Sequence, residues 1–245
     1  MELFNKLILS RKDLINFTLN KLFKSKGILL TYFDFNAFNH VINNDEYYLL
    51  LQNDFFIYQD GIGMFLALNY LRKDVKRITS TDYYNWLIQK LIKTKRKIFL
   101  IGYDFNKEFV ENKCCEKNLC LAGYHHGFFN KYELQAIINE IKVSNAEFVL
   151  VGMGKPKQEF IAAVLKKHLP QINCICVGDF FSYYFGIKKR APKYIQNLQL
   201  EWLYRAVKES NRLFYRYFTG IPLFLFYLIA YRGRNIVRGL NYERI

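Results

Sequence analysis

Short apolar runs, each ended by glycine or a polar residue, set the plan of the chain. The clearest is Phe148-Val149-Leu150-Val151, which stops at Gly152. Four apolar residues with two β-branched valines read as a strand buried on both faces. The Gly152-Met153-Gly154 turn follows, and Pro156 suits the first turn of a helix that the next apolar residues continue. Similar strand-like runs lie at 27–33, 55–58, 97–102, 119–124 and 172–178. Between them, helical spacing is predicted over about 37–51, from about 82 to 94, and over 131–142. The opening residues, with Leu3, Phe4, Leu7, Ile8, Leu14, Ile15, Leu19, Leu22 and Phe23, also follow a helical period, and 180–185 reads as an aromatic loop. Strands alternating with helices predict an α/β fold, a Rossmann-like, mainly parallel sheet with helices on both faces.

In such a sheet, ligands bind at the carboxyl ends of the strands. Three of those ends carry chemistry here. The first predicted strand contains Thr31 and runs out at Asp34-Phe35-Asn36; the second delivers Asp60 into Gly61-Ile62-Gly63; the run described above ends in Gly152, Gly154 and Lys155. An aspartate among apolar residues at a strand end is partly desolvated, which raises its pKa toward that of a general base. Asp60 can equally be the cap of the helix that starts just beyond it. The glycine turn can hold an anion such as a diphosphate on amides and a helix dipole, with Lys155 and Lys157 beside it; it can also be an ordinary loop with solvated lysines.

Charge narrows the partner. The chain carries 36 basic and 21 acidic residues, a net +15, and residues 187–245 hold 12 basic against 3 acidic residues, +9 of that total. Nucleic acid, a phosphorylated small molecule and an anionic membrane surface all suit this sign. Within 213–231, aromatic and aliphatic side chains interleave with Arg216. The apolar run 220–231 contains Pro222 and is shorter than the roughly 20 residues of a spanning helix. It is expected to lie on a membrane, with Arg232, Arg234 and Arg238 meeting anionic lipid. No targeting signal is evident. The five cysteines form no CxxC pair and are expected to be reduced thiols. Cys114, Cys115 and Cys120 with His125 or His126 match no standard zinc spacing. GxGxxG, a Walker lysine motif and an Asp-x-Asp pair are all absent from the sequence.

Four segments together resemble the WecG/TagA/CpsF family of bacterial glycosyltransferases: Asp60-Gly61-Ile62-Gly63, Val151-Gly152-Met153-Gly154-Lys155-Pro156-Lys157-Gln158-Glu159, Arg190-Ala191-Pro192 and Leu200-Glu201-Trp202-Leu203-Tyr204-Arg205. The resemblance runs over about residues 28–216. It implies an α/β glycosyltransferase domain at 1–186 and a basic, aromatic, helical, membrane-associating appendage at 187–245, placing the protein peripherally on the cytoplasmic face of the cell membrane. It further implies metal-independent, inverting transfer of N-acetylmannosamine or its uronic acid from a UDP-sugar donor to an undecaprenyl-diphosphate-linked, GlcNAc-type acceptor, with no cofactor. Asp60 matches the proposed base. Thr31, Asp34, Asn36, Gly61, Gly63, Gly152, Gly154, Lys155, Gln158, Glu159 and Ser182 then fall at the substrates, and Arg190 and Arg205 are suited to diphosphate charge. The family usually has asparagine where this chain has Asp34, or aligns it at Asn36, and aspartate where it has Ser182. Another UDP-hexose donor and a homo-oligomeric state stay open. A nucleic-acid-binding protein is the alternative from another class, and it leaves Asp60 and the glycine turns without a role.

Overall fold

The computed structural model describes residues 2–71, 74–130, 132–209 and 211–242, with the side chains of 211, 212 and 232–242 outside that description. Arg232, Arg234 and Arg238, expected at a lipid surface, therefore lie outside the described side chains. Seven strands form one parallel sheet: β1 Leu7–Ile8, β2 Leu29–Phe33, β3 Phe55–Gln59, β4 Ile98–Gly102, β5 Leu121–His125, β6 Phe148–Gly152 and β7 Asn173–Cys176. Their order across the sheet is β1-β3-β2-β7-β6-β4-β5. The first three strands make one half and β4 to β6 the other. The last strand, β7, joins the halves by pairing with β2 on one side and β6 on the other.

Alternation along each strand divides the core into two layers. On β6, Val149 and Val151 face one layer while Phe148 and Leu150 face the other, the period of two that a strand imposes. The first layer is covered by α2 (Phe35–Asn43), α3 (Asp45–Asp54), α4 (Gly61–Tyr70), α7 (Leu134–Ser144) and α8 (Lys157–His168). The second is covered by α1 (Arg11–Phe17), α5 (Ser80–Lys93), α6 (Lys107–Glu116) and the short α9 (Phe180–Tyr184). The doubly covered parallel sheet is the architecture the alternating pattern predicts.

Four local expectations are corrected. The N-terminal residues are not one helix: after a 3₁₀ turn at Glu2–Asn5, Leu7 and Ile8 pair with Ile57 and Tyr58 as an edge strand before α1 begins. Helical spacing and a two-residue buried strand look alike over so few positions. The helix expected over 37–51 is two helices, because Asn44 is extended and its side chain caps α3 through the Tyr47 amide at 2.9 Å. The aromatic stretch after β7 is helical, as α9. The apolar part of the tail is longer than the expected run 220–231. After α10 (Lys193–Asn197) and α11 (Glu201–Lys208), a single helix α12 runs Asn211–Tyr242 through the proline. Its inner face packs on α2, where Phe224 lies edge-on to Phe38 at 5.2 Å and Asn39 donates to the Gly220 carbonyl at 2.8 Å. That packing offsets the one helical bond the proline removes. Within α12, the stretch Leu213–Tyr231 is long and apolar enough to cross a membrane by length and composition, and most of it is exposed.

Candidate active site

The carboxyl ends of β2, β3, β6 and β7 converge where the two halves of the sheet meet. β2 ends in Asp34, whose carboxylate caps α2 by accepting from the Ala37 amide at 2.8 Å. Its other partner is the Lys155 ammonium at 3.5 Å. Burial pushes the Asp34 carboxyl up, but Lys155, the Ala37 amide and the charge of Arg216 on α12 outweigh it and hold the group below the usual carboxylate range.

Asp60 follows β3, with its amide bound to the Phe33 carbonyl at 3.0 Å. It sits at the N-cap position of α4 without making a side-chain cap there. The carboxylate instead accepts from the amide of Ser80, the first residue of α5, at 2.8 Å. The capping alternative for α4 thus fails on geometry. Burial, reinforced by the negative charge of Asp34, raises the Asp60 pKa, and the Ser80 amide and Lys155 only partly reverse it. A partly buried carboxylate with a raised pKa at a strand end is the state in which proton abstraction from a hydroxyl is most effective.

Beside Asp60, Gly61 has φ +78°, and no atom lies within 4 Å of where its Cβ would be; Gly154 matches it, with φ +74° and the same open space. Only glycine takes this conformation without strain, and the empty volume lets a ligand approach the backbone closely. Gly63 has more room than contact, with the Phe35 Cβ 3.8 Å from its virtual Cβ. Gly152 has none, because the Tyr103 ring lies 2.5 Å from that point.

Of the two lysines of the turn, Lys155 faces inward and Lys157 is exposed. The Lys155 side chain is 2% exposed and lies over the Tyr32 ring, and among the described residues its Nζ has no hydrogen-bond partner. Lys157 donates to the Gly127 carbonyl at 3.0 Å. Gln158 and Glu159, in the first turn of α8, are fully buried. The Thr31 hydroxyl and the Gln158 amide donate to Glu159 Oε1 at 2.7 and 2.9 Å, while Gln158 Oε1 accepts from the Gly178 amide at 3.1 Å. Burial pushes the Glu159 carboxyl up. This chain of bonds ties β2, α8 and the turn after β7 together beneath the site, so Thr31, Gln158 and Glu159 support it from below.

Asn36 sits partly exposed in the first turn of α2. Ser182 is buried in α9, and its hydroxyl donates to Asp179. Lys188 bridges Asp179 and Glu209, and Arg205 donates to the same Glu209 at 2.8 Å. Arg190 grips Glu201 through Nε at 2.8 Å and Nη2 at 3.2 Å and reaches Asp82 on α5 at 2.6 Å. Arg190 therefore ties the start of α11 to α5, whereas Arg205 bonds within α11 to its C-cap Glu209 and lies over the Tyr183 ring of α9 at 5.2 Å. Among the described residues, no three of His, Cys, Asp and Glu are gathered as a metal site requires.

The sequence pattern of the glycosyl transferase WecG/TagA/CpsF family matches residues 5–237. The chain belongs to this family. It is accordingly a glycosyltransferase of cell-surface polysaccharide synthesis, acting on a sugar donor and an acceptor. The family segments noted in the sequence fall at one end of the sheet: the Asp60 turn after β3, the Gly154 turn after β6, and Arg190 and Glu201 bonded to each other across the start of α11.

Sequence reasoning missed three residues at this end. Tyr103, at φ +65°, reaches across Gly152 to donate to the Gly178 carbonyl at 2.6 Å and accept from the Phe181 amide at 3.1 Å. The available signal was Gly152 itself, small because a ring crosses it. Ser80 holds Asp60, and nothing in its local sequence marks it. Arg77 precedes Ile78, whose carbonyl accepts from Gly61, and among the described residues the buried Arg77 Nε has no hydrogen-bond partner. A basic residue three positions before a helix start gives no such warning.

Proposed function

We propose that the protein transfers a sugar from UDP to an acceptor carried on a lipid diphosphate, of the undecaprenyl-diphosphate-GlcNAc type, with inversion and without a metal, at the cytoplasmic membrane surface. The donor sugar in this reading is N-acetylmannosamine or a close relative. The observation that carries the reading is Asp60: a carboxylate of raised pKa at the end of β3, oriented by the Ser80 amide, next to the open backbone of Gly61.

In this mechanism the acceptor hydroxyl attacks the anomeric carbon while Asp60 takes its proton. The bond from that carbon to the diphosphate oxygen breaks on the opposite face, and UDP leaves with the bonding electrons. Gly154 lets the diphosphate approach the backbone of the turn before α8. Arg216, exposed on α12 and close enough to influence Asp34, is the basic residue of the tail best placed to meet developing negative charge. The exposed apolar side of α12 would bring the site to the surface where a lipid-borne acceptor resides.

The test is UDP release from a panel of UDP-sugars, with and without a lipid-diphosphate-GlcNAc acceptor, for the wild type and Asp60→Asn. Acceptor-dependent release with one sugar, reduced about 100-fold or more in the variant, is expected. Equal release by the variant would remove Asp60 from the base role.

A further inference from the structure

The site carries an acid that the transfer step does not use. Asp34 and Asp60 follow Phe33 and Gln59, which are register partners on β2 and β3. The two acids therefore leave the sheet side by side, about 4.8 Å apart at the backbone by the spacing of neighbouring strands. Within the Asp34–Lys155 pair, the carboxylate side chain is 22% exposed and the ammonium side chain 2%. The cation lies behind, packed over Tyr32, and the acid lies in front. Lys155 thus pairs with Asp34 from inside the protein and is closed to a ligand, whereas the Asp34 carboxylate is the charge that faces outward. Lys157 is turned to the Gly127 carbonyl, Arg190 and Arg205 are held by Glu201, Asp82 and Glu209, and Arg216, exposed on α12, is the cation assigned above to the charge of the leaving diphosphate.

We propose that Asp34 sets the class of donor: the site accepts a UDP-sugar whose hexose is uncharged and discriminates against the corresponding UDP-hexuronate. The inference rests on the UDP-sugar reading above and narrows it. For Asp60 to take the proton of a hydroxyl attacking the anomeric carbon, the sugar ring must lie at the end of β3. A carboxylate on that ring is then well within a Debye length of Asp34. Two like charges at such range in a partly desolvated pocket repel strongly enough to lower affinity about 10-fold or more. Asp34 can instead accept hydrogen bonds from the hydroxyls or amide of a neutral sugar.

The experiment is equilibrium binding of two matched pairs, UDP-glucose against UDP-glucuronate and UDP-N-acetylmannosamine against UDP-N-acetylmannosaminuronate. It is run on the wild type, Asp34→Asn and Asp34→Ser at low and high salt. Asparagine and serine both cap helices, so either keeps the bond to the Ala37 amide, and two variants guard against the loss of one to misfolding. The wild type is expected to bind the neutral member of each pair about 10-fold or more tightly, with the gap shrinking at least about 3-fold in the variants and in high salt. Equal binding of both members by the wild type, or a gap unchanged in both variants, overturns the inference and leaves the donor reading intact. Failure to bind either member, or UDP itself, overturns the donor reading and this inference with it.

Discussion

Asp34 and Asp60 are neighbouring acids with opposite pKa displacements, and the difference lies in what each touches. Asp34 has an ammonium and a helix start as partners; Asp60 has one amide and a second acid nearby. The sign of each shift fixes its effect on stability. The folded-state pKa of Asp60 is raised, so its contribution to stability is fully present below the unfolded value of about 3.9 and is lost as pH rises through the folded value. At neutral pH its ionised form therefore weakens the fold. Asp60→Asn, which keeps an oxygen for the Ser80 amide, is expected to match or exceed the wild-type Tm at pH 7 while losing transfer activity. Asp34 behaves in the opposite sense: its contribution is present above the unfolded value and disappears as pH falls through the depressed folded one. Catalysis should show the same asymmetry. The rate should climb with pH through an apparent pKa above the ordinary carboxylate range, and a kcat–pH profile without that limb would separate Asp60 from the proton transfer.

At the scale of elements, α12 has two faces with different duties. Leu213, Tyr217, Phe224 and Leu228 are buried, whereas Tyr215, Phe218, Phe226 and Ile229 are more than half exposed. Truncating Phe224 to alanine is expected to cost about 3–5 kcal/mol in denaturant unfolding, since its ring fills the junction with Phe35 and Phe38. Phe218→Glu with Phe226→Glu should leave that stability within about 0.5 kcal/mol and reduce cosedimentation with anionic liposomes several-fold. Unchanged liposome binding would exclude the exposed face as the contact. The two faces also show what the sequence conveys. Strands such as β6 were legible because burial on both sides leaves an unbroken apolar run, and glycines mark where they end. Asp60 was legible by position, at the mouth of such a run. Its partner Ser80 was not, because the contact joins residues 20 apart through a backbone amide, a bond any residue type can make. The inward turn of Lys155 was equally hidden: a lysine in a glycine turn reads as solvated until Tyr32 and Asp34, more than a hundred positions earlier, are brought against it. The length of the apolar helix was hidden as well, because Arg216 interrupts the apolar run in the sequence while α12 carries this arginine on its exposed side without a break.

Over the whole molecule, the site joins residues from both halves of the sheet, closed from one side by α11 and α12. If the helix face and the chemistry act together, donor hydrolysis should rise when anionic liposomes are added; equal rates with and without them would separate membrane contact from turnover. The position of β7 has another consequence. It is last in the chain yet central in the sheet, so β2 and β6 each keep an open edge until it is inserted between them. A nascent chain leaving the ribosome presents Asp34 and Asp60 early but cannot bring them against Lys155 in finished form until the residues near 176 have emerged. Closure depends on contacts distant in sequence, which form slowly, and during that interval two apolar strand edges stand unprotected. The sheet, and with it the site, is therefore complete only once β7 is in place between β2 and β6.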